Sequence, residues 1–413
     1  MTKAATLLPI SPLALAACAL LAAPSAHAQW SVVSLHPAGA TSSVGSGVAS
    51  GQQVGWATES GILRAGLWMG ASASWVDLHP AAASESSAYA SSGTEQAGRA
   101  NIAGQFHASL WTGSAATWTD LHPAGATESV ASFVWTGPSA SQQVGYATIG
   151  GAQRASLWSS TAASWTDLTP AGASMAVAQG TDGTRQVGYA RIAGAPHASI
   201  WNGTAASWID LHPAGGAFSI AYSTAGTQQA GYASVGGVQR ASTWSGTAAS
   251  WTDLNPTGST QSIAYATDGA MQVGVAYFSA VPHAGVWSGT PASWEDLSLV
   301  LPGAWTSTNA HGIWNDGENI YVVGSGFSFD SGRVEALLWT KPLNPAPTCD
   351  GVDYNGDGLF PDTQDINDFL TVFSGGECST GTCADIDFNN DGIFPDTEDI
   401  NALIRVFAGG SCV

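Results

Sequence analysis

The residues whose chemistry is most legible lie near the C-terminus. There, Asp353-Tyr354-Asn355-Gly356-Asp357-Gly358 recurs 34 positions later as Asp387-Phe388-Asn389-Asn390-Asp391-Gly392. Side-chain oxygens at the first, third and fifth positions, then glycine at the sixth, form the first half of a calcium loop. A hard cation collects several oxygen ligands, and the glycine permits the sharp turn that brings a later carboxylate back to it. Leu359 and Ile393 offer backbone carbonyls at the seventh position. The twelfth position holds Gln364 in one copy and Glu398 in the other, whereas Asp362, Asp365, Asp396 and Asp399 are common to both. A one-residue insertion, at Phe360-Pro361 and Phe394-Pro395, restores the spacing and makes Asp365 and Asp399 the expected closing ligands, with Glu398 the alternative in the second loop. Two calcium ions are therefore expected. One is held by Asp353, Asn355, Asp357, Leu359, Asp362 and Asp365, the other by Asp387, Asn389, Asp391, Ile393, Asp396 and Asp399.

The surroundings suit that chemistry. Residues 344–413 carry thirteen acidic side chains and one basic, Arg405, which is −12 of the chain's net −20. Such a density is costly unless a cation neutralises it. Ile366, Phe369, Leu370 and Phe373 follow the first loop at i, i+3, i+4 and i+7, and Ile400, Leu403, Ile404 and Phe407 follow the second. Each loop should thus lead into an amphipathic helix, ended by Gly375-Gly376 and Gly409-Gly410. Two loop-helix units in tandem resemble a dockerin module over about residues 349–412. The resemblance implies an EF-hand-type, mainly helical domain that binds two calcium ions and docks onto a cohesin-like partner or another cell-surface protein. Cys349 and Cys383 precede the loops, and Cys378 and Cys412 follow the helices. Three pairings are open; antiparallel helices would favour Cys349–Cys412 and Cys378–Cys383. Calcium and disulfides would together stabilise a unit too small to rely on its core. Residues 344–348, Asn-Pro-Ala-Pro-Thr, read as a short stiff linker.

The rest of the chain is a repeat. The leucine of Trp-x-Asp-Leu-His-Pro recurs at Leu35, Leu78, Leu121, Leu168, Leu211, Leu254 and Leu297, with gaps of 43 except for one of 47. Extra residues near 133–139, a longer loop, account for the odd gap. Gln-Val-Gly-Tyr-Ala recurs around Gly55, Gly98, Gly145, Gly188, Gly231, Gly274 and Gly324, and a run ending in tryptophan recurs at Trp68, Trp111, Trp158, Trp201, Trp244, Trp287 and Trp339. Each unit divides into four β-like runs, in the first copy near 43–49, 53–57, 64–68 and 75–78, punctuated by Gly, Ser and Thr. A four-stranded unit of this size is a propeller blade, which must stack on its neighbours to bury its faces. The seventh copy lacks its Trp-x-Asp-Leu run, while Trp30-Ser31-Val32-Val33-Ser34-Leu35 supplies one at the start. The expected fold is therefore mainly β: a seven-bladed β-propeller over 29–343 whose N-terminal strand closes the last blade. A linear solenoid is the rival, and the polar capping repeats it would need are not evident.

The combination of Gln-Val-Gly-Tyr, His-Ala-Ser-Leu-Trp and Trp-x-Asp-Leu resembles the extracellular repeats of the HAF family, with Ser109, Ser156 or Ser199 where that family has phenylalanine. The resemblance implies a secreted repeat domain and brings no active site with it.

Other constellations point to scaffold. Asp77, Asp120, Asp167, Asp210, Asp253 and Asp296 share one repeat position and should cap turns. His36, His79, His122 and His212 share another, filled elsewhere by Thr169, Asn255 and Ser298, exchanges that a metal ring would not tolerate. Arg64, His107, Arg154, His197, Arg240 and His283 alternate at a third, which suggests duplication of a two-blade unit. No nucleophile elbow, phosphate loop or zinc signature occurs. Asp316, Glu318, Asp330 and Glu335 are the non-repeated acids in which a catalytic carboxylate pair would be sought.

Composition bounds the partners. Only 10% of the 413 residues are charged, and lysine occurs at positions 3 and 341 alone. Without a basic patch, nucleic acid is not an expected partner. Lys3, the apolar stretch 7–23 and Ala26-His27-Ala28 read as an export signal over 1–28 that leaves no membrane span; cleavage at the lipobox-like Leu15-Ala16-Ala17-Cys18 is the alternative. Either cut fits an oxidising compartment for the remaining cysteines. The layout expected is signal 1–28, propeller 29–343, linker 344–348 and calcium module 349–413. The function expected is a secreted or cell-surface, non-catalytic binding or scaffold protein, with a glycan as a possible ligand. An extracellular carbohydrate-active enzyme, a polysaccharide lyase or hydrolase carrying a dockerin, is the alternative.

Overall fold

Short runs rich in valine, alanine and glycine, each stopped by a Gly-containing turn, fold into seven four-stranded antiparallel sheets. The computed structural model describes residues 30–138, 140–343, 349–359, 362–390, 396–410 and 412. The expected signal and linker lie outside the described residues, as do the candidate ligands Asp391 and Ile393. The chain divides into two units, Gln29–Leu343 and a second containing Asn344–Val413.

In the first sheet the strands are Ser42–Ala49, Gln52–Glu59, Ile62–Trp68 and Val76–Asp77, paired in sequence order. Five more sheets repeat this plan. The seventh is built from Trp305–Asn315, Asn319–Ser328 and Arg333–Pro342, and its fourth strand is Ser31–Ser34. Val32 lies opposite Trp339 and Val33 opposite Leu338. Each innermost strand packs on the next, and that of the first sheet packs on that of the last, so the sheets are the blades of a seven-bladed β-propeller. The residues inserted in the third repeat lengthen its inner hairpin, Glu128–Thr136 with Ser141–Ile149. Single 3-10 turns such as Ser72–Ser74 precede the outermost strands. Nothing in the apolar periodicity announces them; a serine that bonds back to Ala71 and accepts from Met69 N–H shapes the turn.

The repeated tryptophans are wedges. All seven are essentially inaccessible. Trp68 packs with Val323, Ala336 and Leu338 of the seventh blade, and Trp111 with Val54, Ala65 and Leu67 of the first. Each indole thus covers the preceding sheet. Burying roughly 200 Å² of ring at about 25 cal/mol per Å² stabilises the interface by on the order of 5 kcal/mol per blade.

In the second unit, α1 is Thr363–Phe373 and α2 is Thr397–Phe407. Asp362 and Asp396 are their N-caps. Gly376 N–H bonds Thr371 O and Gly375 N–H bonds Val372 O, the Schellman pattern that ends α1, and Gly410 and Gly409 repeat it on α2. The two halves are linked reciprocally: Asp350 N–H donates to Phe388 O, and Ala384 N–H to Tyr354 O. The buried helical faces differ from the apolar stripe. Leu370 and Ile404 are exposed at 46% and 56%, while Asp365, Asp368 and Phe369 turn inward on α1, and Asp399, Ala402 and Leu403 on α2. The first-turn aspartate must face its own loop, and this rotates the helix away from the face its leucines alone would choose.

Candidate functional site

Two places bring functional side chains together, one in each unit. In the C-terminal unit the loops are shaped by their own carboxylates. Asp353 accepts from the backbone N–H of Asp357 and Gly358, both at 3.0 Å, and Asp357 accepts from Leu359 N–H at 2.8 Å. Gly356, at φ +67°, makes the turn between them. Asp365, fully buried, reaches back ten residues: its carboxylate faces Asn355 N–H at 3.4 Å and accepts from Asp362 N–H at 3.0 Å. Asp399 stands in the same relation to Asn389 and Asp396, with the same distances. Asp362 spends one oxygen on Gln364 N–H, and Asp396 on Glu398 N–H, as helix caps.

The donor set is therefore all oxygen, and it ends in two fully buried carboxylates. Among the described residues neither has a basic partner within 4.0 Å. Burial pushes the Asp399 carboxyl above its ordinary range. Both features fit a hard cation, which would neutralise these charges. Among the described residues, no three His, Cys, Asp or Glu side chains converge tightly enough to form a ready-made cluster. Leu359 and Asp387 remain at their loop positions, and Asn355 and Asn389 are buried. Cys349 is bonded to Cys412 and Cys378 to Cys383.

The repeat left one participant unannounced. Asp368, which becomes Ala402 in the second half, accepts from Asn355 Nδ2, Gln364 Nε2 and both the N–H and Oγ–H of Ser379. Led by the Ser379 hydroxyl, these bonds hold its carboxyl at about 2. Its departure from the duplication is the signal by which it could have been found.

In the propeller, the innermost strands surround a cavity of about 510 Å³. Each of these strands carries a β-bulge at the same repeat position. The extra residue is Ser46, Tyr89, Ser132 or Gln179 in the first four blades and Tyr222, Tyr265 or His311 in the last three. All seven line the cavity. The glycine of Gln-Val-Gly-Tyr makes this possible, because a Cβ at Gly55, Gly231 or Gly324 would overlap the carbonyl oxygen of Val44, Ile220 or Asn309 on the bulged strand. Tyrosine hydroxyls at the cavity are kept protonated by burial; that of Tyr265 is pushed up to about 12. His311 is pushed down by burial, and its Nδ1 bonds Gly45 O at 2.8 Å.

The other polar positions are scaffold. Asp77, Asp120, Asp167, Asp210, Asp253 and Asp296 each accept from the N–H two residues on. In five of them, Asp77, Asp120, Asp210, Asp253 and Asp296, the second oxygen holds Arg64, His107, His197, Arg240 or His283. The non-repeated acids fall at the two ends of the last blade, Asp316 and Glu318 at one and Asp330 and Glu335 at the other. Asp316 and Glu318 sit at one end of the last blade, with Asn319 opposite Pro342, whereas Glu335 lies opposite Gly326 near the other end. Seven residues of strand at about 3.3 Å each separate them by roughly 23 Å. Glu335 is moreover engaged by Ser34 and Arg333.

No family model matches the chain, and no curated protein matches it in sequence. Solved structures that resemble it are propeller-containing. Puromycin hydrolase is 12% identical, with a TM-score of 0.47 over 73% of this chain and 53% of its own. A putative TolB from Agrobacterium tumefaciens is 11% identical, with a TM-score of 0.40 over 61% of this chain and 87% of its own. An oligogalacturonate lyase in complex with manganese is 10% identical, with a TM-score of 0.34 over 61% and 87%. The chain spans about half the length of puromycin hydrolase. The likeness concerns the fold alone.

Proposed function

We propose that this is a secreted or cell-surface binding protein without catalytic activity, whose propeller presents a ligand site at its centre and whose calcium-stabilised, dockerin-like module attaches it to a partner. One observation carries the binding half. Inside an otherwise monotonous repeat, the seven residues that face the cavity are of four types, serine, tyrosine, glutamine and histidine, while the residue before each bulge is always glycine or alanine. Packing demands uniformity; a ligand demands variety. Two disulfides in the C-terminal unit support an oxidising location. No helix among the described residues is long and apolar enough to cross a membrane. The repeat landmarks support kinship with HAF-type extracellular repeats, and the pairing of Ser31–Ser34 with Arg333–Pro342 supports a clasp role for the N-terminal strand.

The module's loops supply Asp353, Asn355, Asp357, Leu359 O, Asp362 and Asp365 to one calcium ion, and Asp387, Asn389, Asp391, Ile393 O, Asp396 and Asp399 to the other. The ion draws the carboxylates together and replaces the missing basic partners. Titration of the full chain with calcium is expected to give two ions bound and a higher melting temperature for the C-terminal unit. At free calcium a hundredfold above Kd the gain is about 2.7 kcal/mol. Asp365→Asn and Asp399→Asn are each expected to lose one ion. An unchanged melt, or two ions bound by either variant, would overturn the calcium assignment. For the propeller, Ser132→Trp, which fills the cavity from one wall, should abolish retention on whichever glycan of a panel the native chain binds; retention by the filled variant would place the site elsewhere.

A further inference from the structure

Among the described residues that line the cavity, one carries a permanent charge. Arg99 follows the Gln-Ala-Gly of the second blade, at the position that holds Trp56 in the first blade and Tyr146, Tyr189 and Tyr232 in the third to fifth. Its guanidinium carbon lies 3.9 Å from the centre of the Phe106 ring and 5.9 Å from that of Tyr89. Stacking of this kind holds the planar group in place. What it lacks is an anion. Arg64, Arg240 and Arg333 each have a carboxylate partner; no described acid lies within 4.0 Å of Arg99, nor of Arg154, Arg185, Arg191 or Arg405, but among these Arg99 is the one whose buried Nε–H has no acceptor among the described residues. Glu128, an acid of the neighbouring blade, accepts from the Tyr146 hydroxyl. The cavity lining includes no aspartate or glutamate. An unpaired guanidinium in a chain of net charge −20 is costly unless something else completes it.

The rest of the lining narrows what that is. The hydroxyls of Tyr222 and Tyr265 bond no described residue, and Ser46, Ser132 and Gln179 add further donors and acceptors around the ring. Tyr222 and Tyr265 lean against one another, with centroids 5.4 Å apart and their planes at 56°, so that the two rings form one aromatic wall. Aromatic faces with free hydroxyls suit a ligand that is apolar on its ring faces and hydroxylated at its edges. A single guanidinium fork suits one carboxylate. The cavity's volume is that of a small-molecule site, so the ligand enters as one or two rings.

We propose that the central cavity binds a short saccharide carrying a carboxylate, a uronic-acid sugar, with Arg99 as the group that takes the carboxylate and the tyrosine wall as the surface on which the ring lies. The inference rests on the binding role proposed above.

The experiment is calorimetric titration of the full chain with uronic-acid disaccharides and with the same disaccharides after reduction of the carboxyl to the alcohol. The acid is expected to bind at least tenfold more tightly than its neutral analogue, and more weakly as salt is raised. In Arg99→Gln the acid falls to the level of the analogue, so that the two become indistinguishable. Tyr265→Ala, which leaves the cation in place, is expected to weaken both sugars equally, and circular dichroism establishes that each variant is folded. A polyuronate that competes in proportion to its chain ends indicates that the site takes polymer termini; competition only by the free disaccharide indicates a soluble ligand; either supports the proposal. If the neutral analogue binds as tightly as the acid, or Arg99→Gln still discriminates, the carboxylate assignment is overturned while the binding role stands. If an aromatic carboxylate binds and no saccharide does, the ligand class is overturned. If nothing binds in the cavity, the binding role falls with it.

Discussion

At the scale of single residues, part of the repeat's polar content pairs the indoles of its outer tryptophans, while the buried indole N–H groups of Trp68, Trp111, Trp158, Trp201, Trp244 and Trp287 have no partner among the described residues. The indole N–H groups of Trp118, Trp165, Trp208 and Trp251 donate to Ser109, Ser156, Ser199 and Ser242 at 2.8–2.9 Å. These serines share one repeat position, and the bond to the indole gives that position a structural reason. Gly66 and Gly285 take the place in two blades, and there Trp75 and Trp294 lie directly against Trp68 and Trp287, with centroids 4.6 and 4.5 Å apart. Ser199→Ala should therefore leave the Trp208 N–H unpaired and cost about 1–3 kcal/mol in a denaturant melt; no loss would contradict the role given to the bond.

The shared histidines make a second residue-level prediction. In His79, His122 and His212, Nε2 faces a backbone carbonyl and Nδ1 a serine hydroxyl. Burial holds all three, and His36, below the ordinary 6.5. The unfolded chain takes up these protons first as pH falls. The stabilisation is therefore complete above about pH 6.5 and is lost as pH falls through that value towards the folded one. The fifth full repeat already contains the substitute, Asn255, whose Oδ1 accepts from Ser262 at 2.6 Å. Replacing His79, His122 and His212 by Asn is expected to flatten the fall in melting temperature between pH 7 and pH 5; an unchanged slope would contradict this.

At the scale of elements, legibility followed periodicity. The blade strands were readable because turn residues stop apolar runs at a fixed spacing, and both helices because Ile366 to Phe373 and Ile400 to Phe407 keep helical spacing. The bulges were not readable. Ser46, Tyr89 and Gln179 look like ordinary strand residues, and only the pairing register shows two residues facing one. The signal lay in the glycine of Gln-Val-Gly-Tyr, whose recurrence marks a close approach of backbones. Gly231→Ala is thus expected to cost several kcal/mol and to disturb the cavity, because Ile220 O occupies the space of the new methyl. Gly236→Ala, in an open turn with φ +62°, should cost only about 1 kcal/mol. Equal losses would mean that the bulge does not depend on glycine. The rotation of α1 was likewise hidden, because apolar spacing alone cannot show that an aspartate outranks Leu370 for the inward face.

At the scale of the whole molecule, the repeat sets the architecture and its exceptions line the cavity. Forty-three-residue periodicity made the number of blades countable from seven tryptophans. The cavity, by contrast, is made where the copies disagree, at the seven bulges and at Arg99. The most direct test is prolonged incubation of the purified full chain with a panel of neutral and uronic-acid polysaccharides, with retained ligand and newly formed chain ends measured on the same samples. The account predicts retention of at least one uronic-acid polymer, lost in Ser132→Trp, with no rise in reducing or unsaturated ends. Newly formed ends that disappear in Ser132→Trp would contradict it.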